Sequence, residues 1–276
     1  MSSPGGGRLP ARDSARPARW WLALLGFPIG FASSLCGIGG GLFASSLLHF
    51  ALGFELRRAT ATGLVLVFAT TSAATLSELL REQPSLDPAL LTILVLGVWI
   101  GARGGFVLSE RLPESKLRAI FSVVLLFSSW RLAFSTGSGG VFTENTLGPM
   151  NLFQAFWLGV GGGVVAPLLG VGGGLIMVPG LYLLVGVSFD VARATSLAAG
   201  VFGSGRSLRL KAQVGRVAWR HGVLLGAGSL CGSALGVAAL DRVEELREFG
   251  RIGLAGLLAF LGLRFAREVW RSLDRP

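Results

Sequence analysis

The stretch Gly37-Ile38-Gly39-Gly40-Gly41-Leu42 returns 133 residues later as Gly170-Val171-Gly172-Gly173-Gly174-Leu175. The same offset pairs Gly53 with Gly186, and Ala61-Thr62-Gly63-Leu64 with Ala194-Thr195-Ser196-Leu197. At an offset of 131, Gly97, Gly101 and Gly105 meet Gly228, Gly232 and Gly236, while Glu110-Arg111 meets Asp241-Arg242. Three blocks in register mark a chain of two related halves.

The residues around these runs are apolar. Of 276 residues, 51% are hydrophobic and only 14% charged, against about 25% charged in an average soluble chain. Lipid is the solvent that suits such a chain, and its 42 glycines fit transmembrane helices, where glycine is enriched. Apolar segments follow one another at 20–35, 42–54, 59–79, 89–108, 117–134, 152–169, 175–187, 191–202, 223–240 and 252–265. The segments 42–54 and 175–187 hold 13 residues each. At about 1.5 Å per residue they reach about 20 Å, short of a hydrocarbon core of about 30 Å. Each reads as a half-helix. The expected fold is an all-α integral membrane protein with two inverted repeats of about five helical segments each, its short helices broken at the Gly-rich motifs.

Charge sets the expected orientation. With the N-terminus inside, 19 of the 25 basic residues fall at cytoplasmic ends, leaving Arg81, Arg131, Arg193, Arg242, Arg247 and Arg251 outside, as the positive-inside rule asks. The expected organisation is a disordered cytoplasmic tail over 1–19, a first transmembrane repeat over 20–135, an extracytoplasmic linker over 136–150 without Lys or Arg, a second repeat over 151–270 and a cytoplasmic tail over 271–276. Both termini are then cytoplasmic, in a multi-pass membrane protein. Ten spans, or six spans with two re-entrant hairpins, satisfy the charges equally.

Several chemistries drop out. His49 and His221 are the only histidines, and Cys36 and Cys231 the only cysteines, too few for a Cys/His metal site, a bis-His haem, an iron–sulfur cluster or a disulfide framework. No cofactor is expected. Neither lysine follows a glycine, so there is no phosphate-binding P-loop, and the glycine runs lack the third glycine of a dinucleotide fingerprint. The net charge of +10 sits at the tips of apolar segments, where lipid headgroups are its partner and nucleic acid is not.

The glycine runs are the candidate site. A break at membrane depth is tolerated only where protein or a water-filled cavity receives the freed backbone, and helix N-termini there favour an anion. Paired broken segments in both halves point to a transporter's central site. The expected substrate contacts are Gly37, Gly39, Gly40, Gly41, Gly170, Gly172, Gly173 and Gly174, with Thr62, Thr195, Ser196 and Arg193. Arg57 and Arg58 before Thr62, and Arg193 before Thr195, are expected at opposite mouths. Close helix packing is the alternative use of the glycines, and anchoring or capping that of the arginines and threonines. Ser33, Ser34, Ser45 and Ser46 flank the first run and either line a path or pack helices; His49 either carries a proton or is structural; Arg103 snorkels; Cys36 abuts the run.

These residues, together with Pro179 and the block from Gly97 to Arg118 followed by an apolar segment, resemble the TauE/SafE sulfite exporter family, also called the toluene sulfonate uptake permease family. The resemblance covers about residues 20 to 270. It implies a two-halved inner-membrane transporter of sulfite, sulfonates or other small anions, exporting rather than importing them. The first half departs from the family habit of a proline soon after the glycines. Uptake of the same anions is the alternative, a membrane-embedded enzyme or assembly factor a more distant one. Proton or other ion coupling and oligomeric state stay open.

Overall fold

The computed structural model describes residues 20–82, 84–113 and 148–240, with part of 116–130 and of 256–270. The tails 1–19 and 271–276, most of the linker 136–150, and Arg131, Arg242, Arg247 and Arg251 lie outside the described residues. Within them the chain is helical: α1 (Trp21–Cys36), α2 (Gly41–Phe50), α3 (Leu56–Leu79), α4 (Pro88–Arg111), α5 (Pro149–Val165), α6 (Gly174–Gly180), α7 (Phe189–Gln213) and α8 (Trp219–Leu240). Helical residues also recur in 116–130 and 256–270, where the segments 117–134 and 252–265 are described only in part.

Four stretches are long and apolar enough to cross a membrane: Leu56–Leu79, Pro88–Arg111, Pro149–Gly170 and Trp219–Ala239. Their outward faces carry Phe68, Leu96, Trp99, Ile100, Phe153 and Trp157, while Thr60, Thr62, Thr70 and Thr71 of α3 point inward and are buried. Apolar outside and hydroxylated inside is the polarity of a protein dissolved in lipid. The chain is an all-α, multi-pass membrane protein.

The glycine runs end helices for a definite reason. Gly37, Gly39 and Gly40 have φ of 74°, 76° and 76°, and Gly170, Gly172 and Gly173 have 72°, 75° and 92°, conformations that a Cβ penalises. Helix α1 therefore stops at Cys36, and α2 restarts at Gly41 in the opposite direction. At 16 and 10 residues, neither spans the hydrocarbon core. Trp21 and Leu22 at the start of α1 share one apolar cluster with Leu48 and Leu52 at the end of α2. So α1 and α2 form a helical hairpin. Helix α5, the turn after it and α6 form a second, whose open end packs Ala155 with Leu181 and Val185, against Leu90 of α4 and Ala192 of α7.

The two hairpins come from opposite ends of the bundle. The first opens beside Phe54 and Ala59, at the start of α3. The second opens beside the starts of α4 and α7, where the end of α3 lies, because Glu78 binds Arg193 at 2.8 Å and the Ser85 N–H at 3.2 Å. Helices α3 and α7 run antiparallel between them.

Glycine seams lock the hairpins in place. On α1, Cβ atoms at Gly26 and Gly30 would lie 2.1 and 2.3 Å from the carbonyl oxygens of Leu225 and Ser229, and on α8 those at Gly228 and Gly232 would lie 1.8 and 2.0 Å from those of Ala23 and Phe27. The α4–α5 seam is built alike: Gly101 and Gly105 each face a carbonyl at 2.1 Å, and Gly159 and Gly163 each face one at 2.5 Å. Each hairpin's first helix thus packs on a helix from the other half of the sequence.

Three boundaries differ from those read in the sequence. The half-helix expected over 175–187 is seven α-helical residues followed by a π turn, Leu181–Val185, and a second π turn, Ala166–Gly170, ends α5. Pro167 and Pro179 withdraw an N–H from each ladder, which then bonds one residue further. The apolar pattern predicts an end near Phe202 for helix α7, which instead runs on to Gln213, because its charged residues find partners: Arg206 lies 4.2 Å over the Trp99 ring, and Lys211 binds Glu110 at 3.0 Å.

Candidate functional site

The hairpin tips meet at the centre of the bundle. A Cβ on Gly41 would fall 1.7 Å from the Gly170 carbonyl oxygen, and one on Gly174 would fall 2.4 Å from the Gly37 carbonyl oxygen. The contact is reciprocal, tip on tip, beside the middle of α3. A Cβ on Gly39 would touch Val67 and Thr71, each at 3.1 Å, and one on Gly172 would touch Val67 at 2.6 Å with Ser204 at 3.9 Å. Thr71 and Ser204 stand 133 residues apart, so each tip looks at equivalent turns of α3 and α7.

The donors of this centre determine what it offers a ligand. The first N–H groups of a helix have no partner within it, and the caps Gly40 and Gly173 bring no side chain to satisfy them. Thr71 and Ser204 give their hydroxyl hydrogens back to their own helices, to Val67 O at 2.8 Å and Gly200 O at 2.6 Å, so they have none left for an anion. Among the described residues four buried hydroxyls make no hydrogen bond, those of Ser46, Thr75, Thr195 and Ser207.

The remaining expected site residues divide. Arg193 and Ser196 belong with the first tip: a Cβ on Gly37 would lie 3.0 Å from Arg193 Cγ, and the Ser196 hydroxyl donates to Gly37 O at 3.4 Å. Thr62 is committed elsewhere, since its Oγ1 accepts the Ala218 N–H at 3.0 Å. The sequence places Arg193 at an open mouth, yet its side chain is 0% exposed and ion-paired with Glu78 at 2.8 Å, with Asp190 at 4.0 Å. Arg57 donates to the Leu112 carbonyl and Arg58 lies 5.5 Å over the Phe54 ring, both at the other end of α3. The serines near the first run turn inward on their own helix: Ser33 donates to Ile29 O, Ser34 to Phe31 O and Ser45 to Leu42 O. His49 holds the Phe54 carbonyl through Nδ1 at 2.7 Å, closing the loop after α2.

A difference between equivalent threonines is testable. Thr62→Val strands the Ala218 N–H and is expected to cost about 1–3 kcal/mol. Thr195→Val breaks no hydrogen bond and removes an unpaired buried hydroxyl, so it should not share that loss. Thermal unfolding in detergent measures both; equal losses would mean that the Thr195 hydroxyl is paired after all.

The residues missed in the sequence are Glu78, Glu110 and Lys211. A signal existed, because Glu78 and Lys211 lie at the repeat offset of 133, but charge at the end of an apolar segment reads as an anchor.

Comparison with known proteins gives the chain a family. The family model described as "Sulfite exporter TauE/SafE" matches residues 3–132 and 155–275. The chain belongs to the TauE/SafE family. Relatives of this TauE/SafE member include "Probable membrane transporter protein YunE" of Bacillus subtilis, 25% identical over 252 residues that cover 82% of this chain and 89% of the relative. Another is "Probable membrane transporter protein MJ0441" of Methanocaldococcus jannaschii, 26% identical over 186 residues, 65% of this chain and 66% of the relative. No solved structure matches. Membership in TauE/SafE points to a membrane transporter rather than an enzyme.

Proposed function

We propose that this TauE/SafE chain is a secondary transporter that exports a small oxyanion, sulfite or an organosulfonate, across the inner membrane, with 20–135 and 151–270 as inverted repeats, 136–150 as the extracytoplasmic linker and both termini cytoplasmic. The observation that carries the reading is the tip-to-tip contact of two helical hairpins, each with an uncapped glycine start at the middle of the bundle. Two helix starts converging on one place favour negative charge. Gly37, Gly39, Gly40 and Gly41 with Gly170, Gly172, Gly173 and Gly174 supply the backbone, Thr195 supplies a hydroxyl with its hydrogen unspent, and Ser196 and Arg193 stand beside the first tip. Thr62 serves the start of α8 in this reading. The family description supports outward movement.

The test is flux of sulfite and of a short alkanesulfonate in proteoliposomes. The parent is expected to give saturable flux that choline does not share, and Thr195→Val to raise the half-saturating concentration about tenfold, the usual effect of losing a hydrogen bond to a charged group. Unchanged half-saturation in Thr195→Val removes that residue from the site. Carriage of a cation or neutral solute in place of sulfite overturns the anion assignment.

A further inference from the structure

Among the described residues, the charged groups buried within the bundle form two clusters, one at each end of the α3–α7 pair. At one end Glu78 of α3 holds Arg193 of α7 at 2.8 Å, Arg81 at 2.8 Å and the Ser85 N–H at 3.2 Å, while Arg193 also reaches the Ser34 carbonyl of the first hairpin at 3.4 Å. At the other end Lys211 of α7 holds Glu110 of α4 at 3.0 Å and the Ser109 hydroxyl at 2.8 Å, and Arg216 joins Glu110 at 3.3 Å. The side chains of Glu78, Arg193 and Lys211 are 2%, 0% and 1% exposed.

Their spacing from the tips is the same. Glu78 lies seven residues beyond Thr71 on α3, and Lys211 seven beyond Ser204 on α7, two turns or about 10 Å in each case. Because α3 and α7 are antiparallel, the clusters flank the tip contact from opposite sides. Each joins helices from both halves, and each must part if the halves rock about the centre. A buried pair is held firmly while closed, and separating it without new partners is costly.

The geometry points to Glu78–Arg193 and Lys211–Glu110 as the two gates of the carrier, closed together in this structure and opened one at a time. The inference rests on the transport reading of the tips. By the distribution of basic residues, the Glu78 gate is the outer one and the Lys211 gate the inner one.

The experiment reads access to the centre without any substrate. With Cys36→Ser and Cys231→Ser as background, Ser204→Cys places a single thiol beside the tips, and a membrane-impermeant thiol reagent is applied to right-side-out and inverted vesicles. Glu78→Gln is expected to speed labelling about tenfold, the effect of losing a charge-assisted hydrogen bond, in right-side-out vesicles alone. Lys211→Met should do so in inverted vesicles alone, and exchanging the charges in Glu78→Arg with Arg193→Glu should restore slow labelling. If Glu78→Gln does not reach the membrane, Glu78→Asp, which draws the charge back by one methylene, must give the same one-sided increase. Faster labelling from both faces, from the wrong face, or from neither overturns the gates. One-sided gating in a protein that carries no sulfite or sulfonate would leave the gates standing and overturn the anion reading instead.

Discussion

Gly41→Ala abolishes transport: flux in proteoliposomes is expected to fall about a hundredfold, the equivalent of about 3 kcal/mol. The new methyl would sit 1.7 Å from the Gly170 carbonyl oxygen and 2.6 Å from Val67 Cγ2. Overpacking of a core costs about 1–3 kcal/mol when side chains can yield; here the obstacle is backbone, which has no rotamer to change. The tips must separate, or the second hairpin must back out of its seat. Gly53→Ala is the matched control. Gly53 has a φ of 69° with nothing within 4 Å of its Cβ position, so it bears only the left-handed penalty of about 1–2 kcal/mol and should keep its flux. Parental flux from Gly41→Ala would show that transport does not need the tips in contact.

Gly101→Leu is expected to leave no folded protein. In lipid, helices associate largely through close packing, which small residues allow, and the α4–α5 seam has no room: the first added carbon alone would lie 2.1 Å from the Val160 carbonyl oxygen. The axes would have to part along the seam, at a cost of about 3 kcal/mol or more. Gly104→Leu, three residues along the same helix, meets nothing within 4 Å and should behave as the parent. Size-exclusion profiles and thermal midpoints in detergent separate the two. Equal stability would assign the seam no structural weight.

Much of this arrangement was legible in the residues. Gly37 to Gly41 and Gly170 to Gly174 announced both helix breaks, because a run of glycines between apolar segments has little other use at membrane depth. The 13-residue length of the apolar segment after each run announced that those helices fall short. Their return along the same path was not legible, since charge placement is indifferent to a hairpin that starts and ends on one side. The partner of Arg193 was not legible either. Glu78 lies 115 residues away at the end of an apolar stretch, and burial turns an apparent headgroup anchor into one half of an internal pair. Thr62 and Thr195 look equivalent in sequence. Only the position of the Ala218 N–H separates them, and that depends on how α8 starts.

The reciprocity of the tips has a consequence for inheritance. Gly41 meets the Gly170 carbonyl while Gly174 meets the Gly37 carbonyl, the i-to-j and j-to-i pattern of an isologous interface between identical subunits. Here that interface is enclosed within a single polypeptide. Each run is the mould of the other, so neither can drift alone. A bulkier residue gained at position 41 can be accommodated only by a change around position 170, and one at position 174 only by a change around position 37. Two distant stretches of one gene are thereby bound to vary as a unit, even where the flanking helices have diverged.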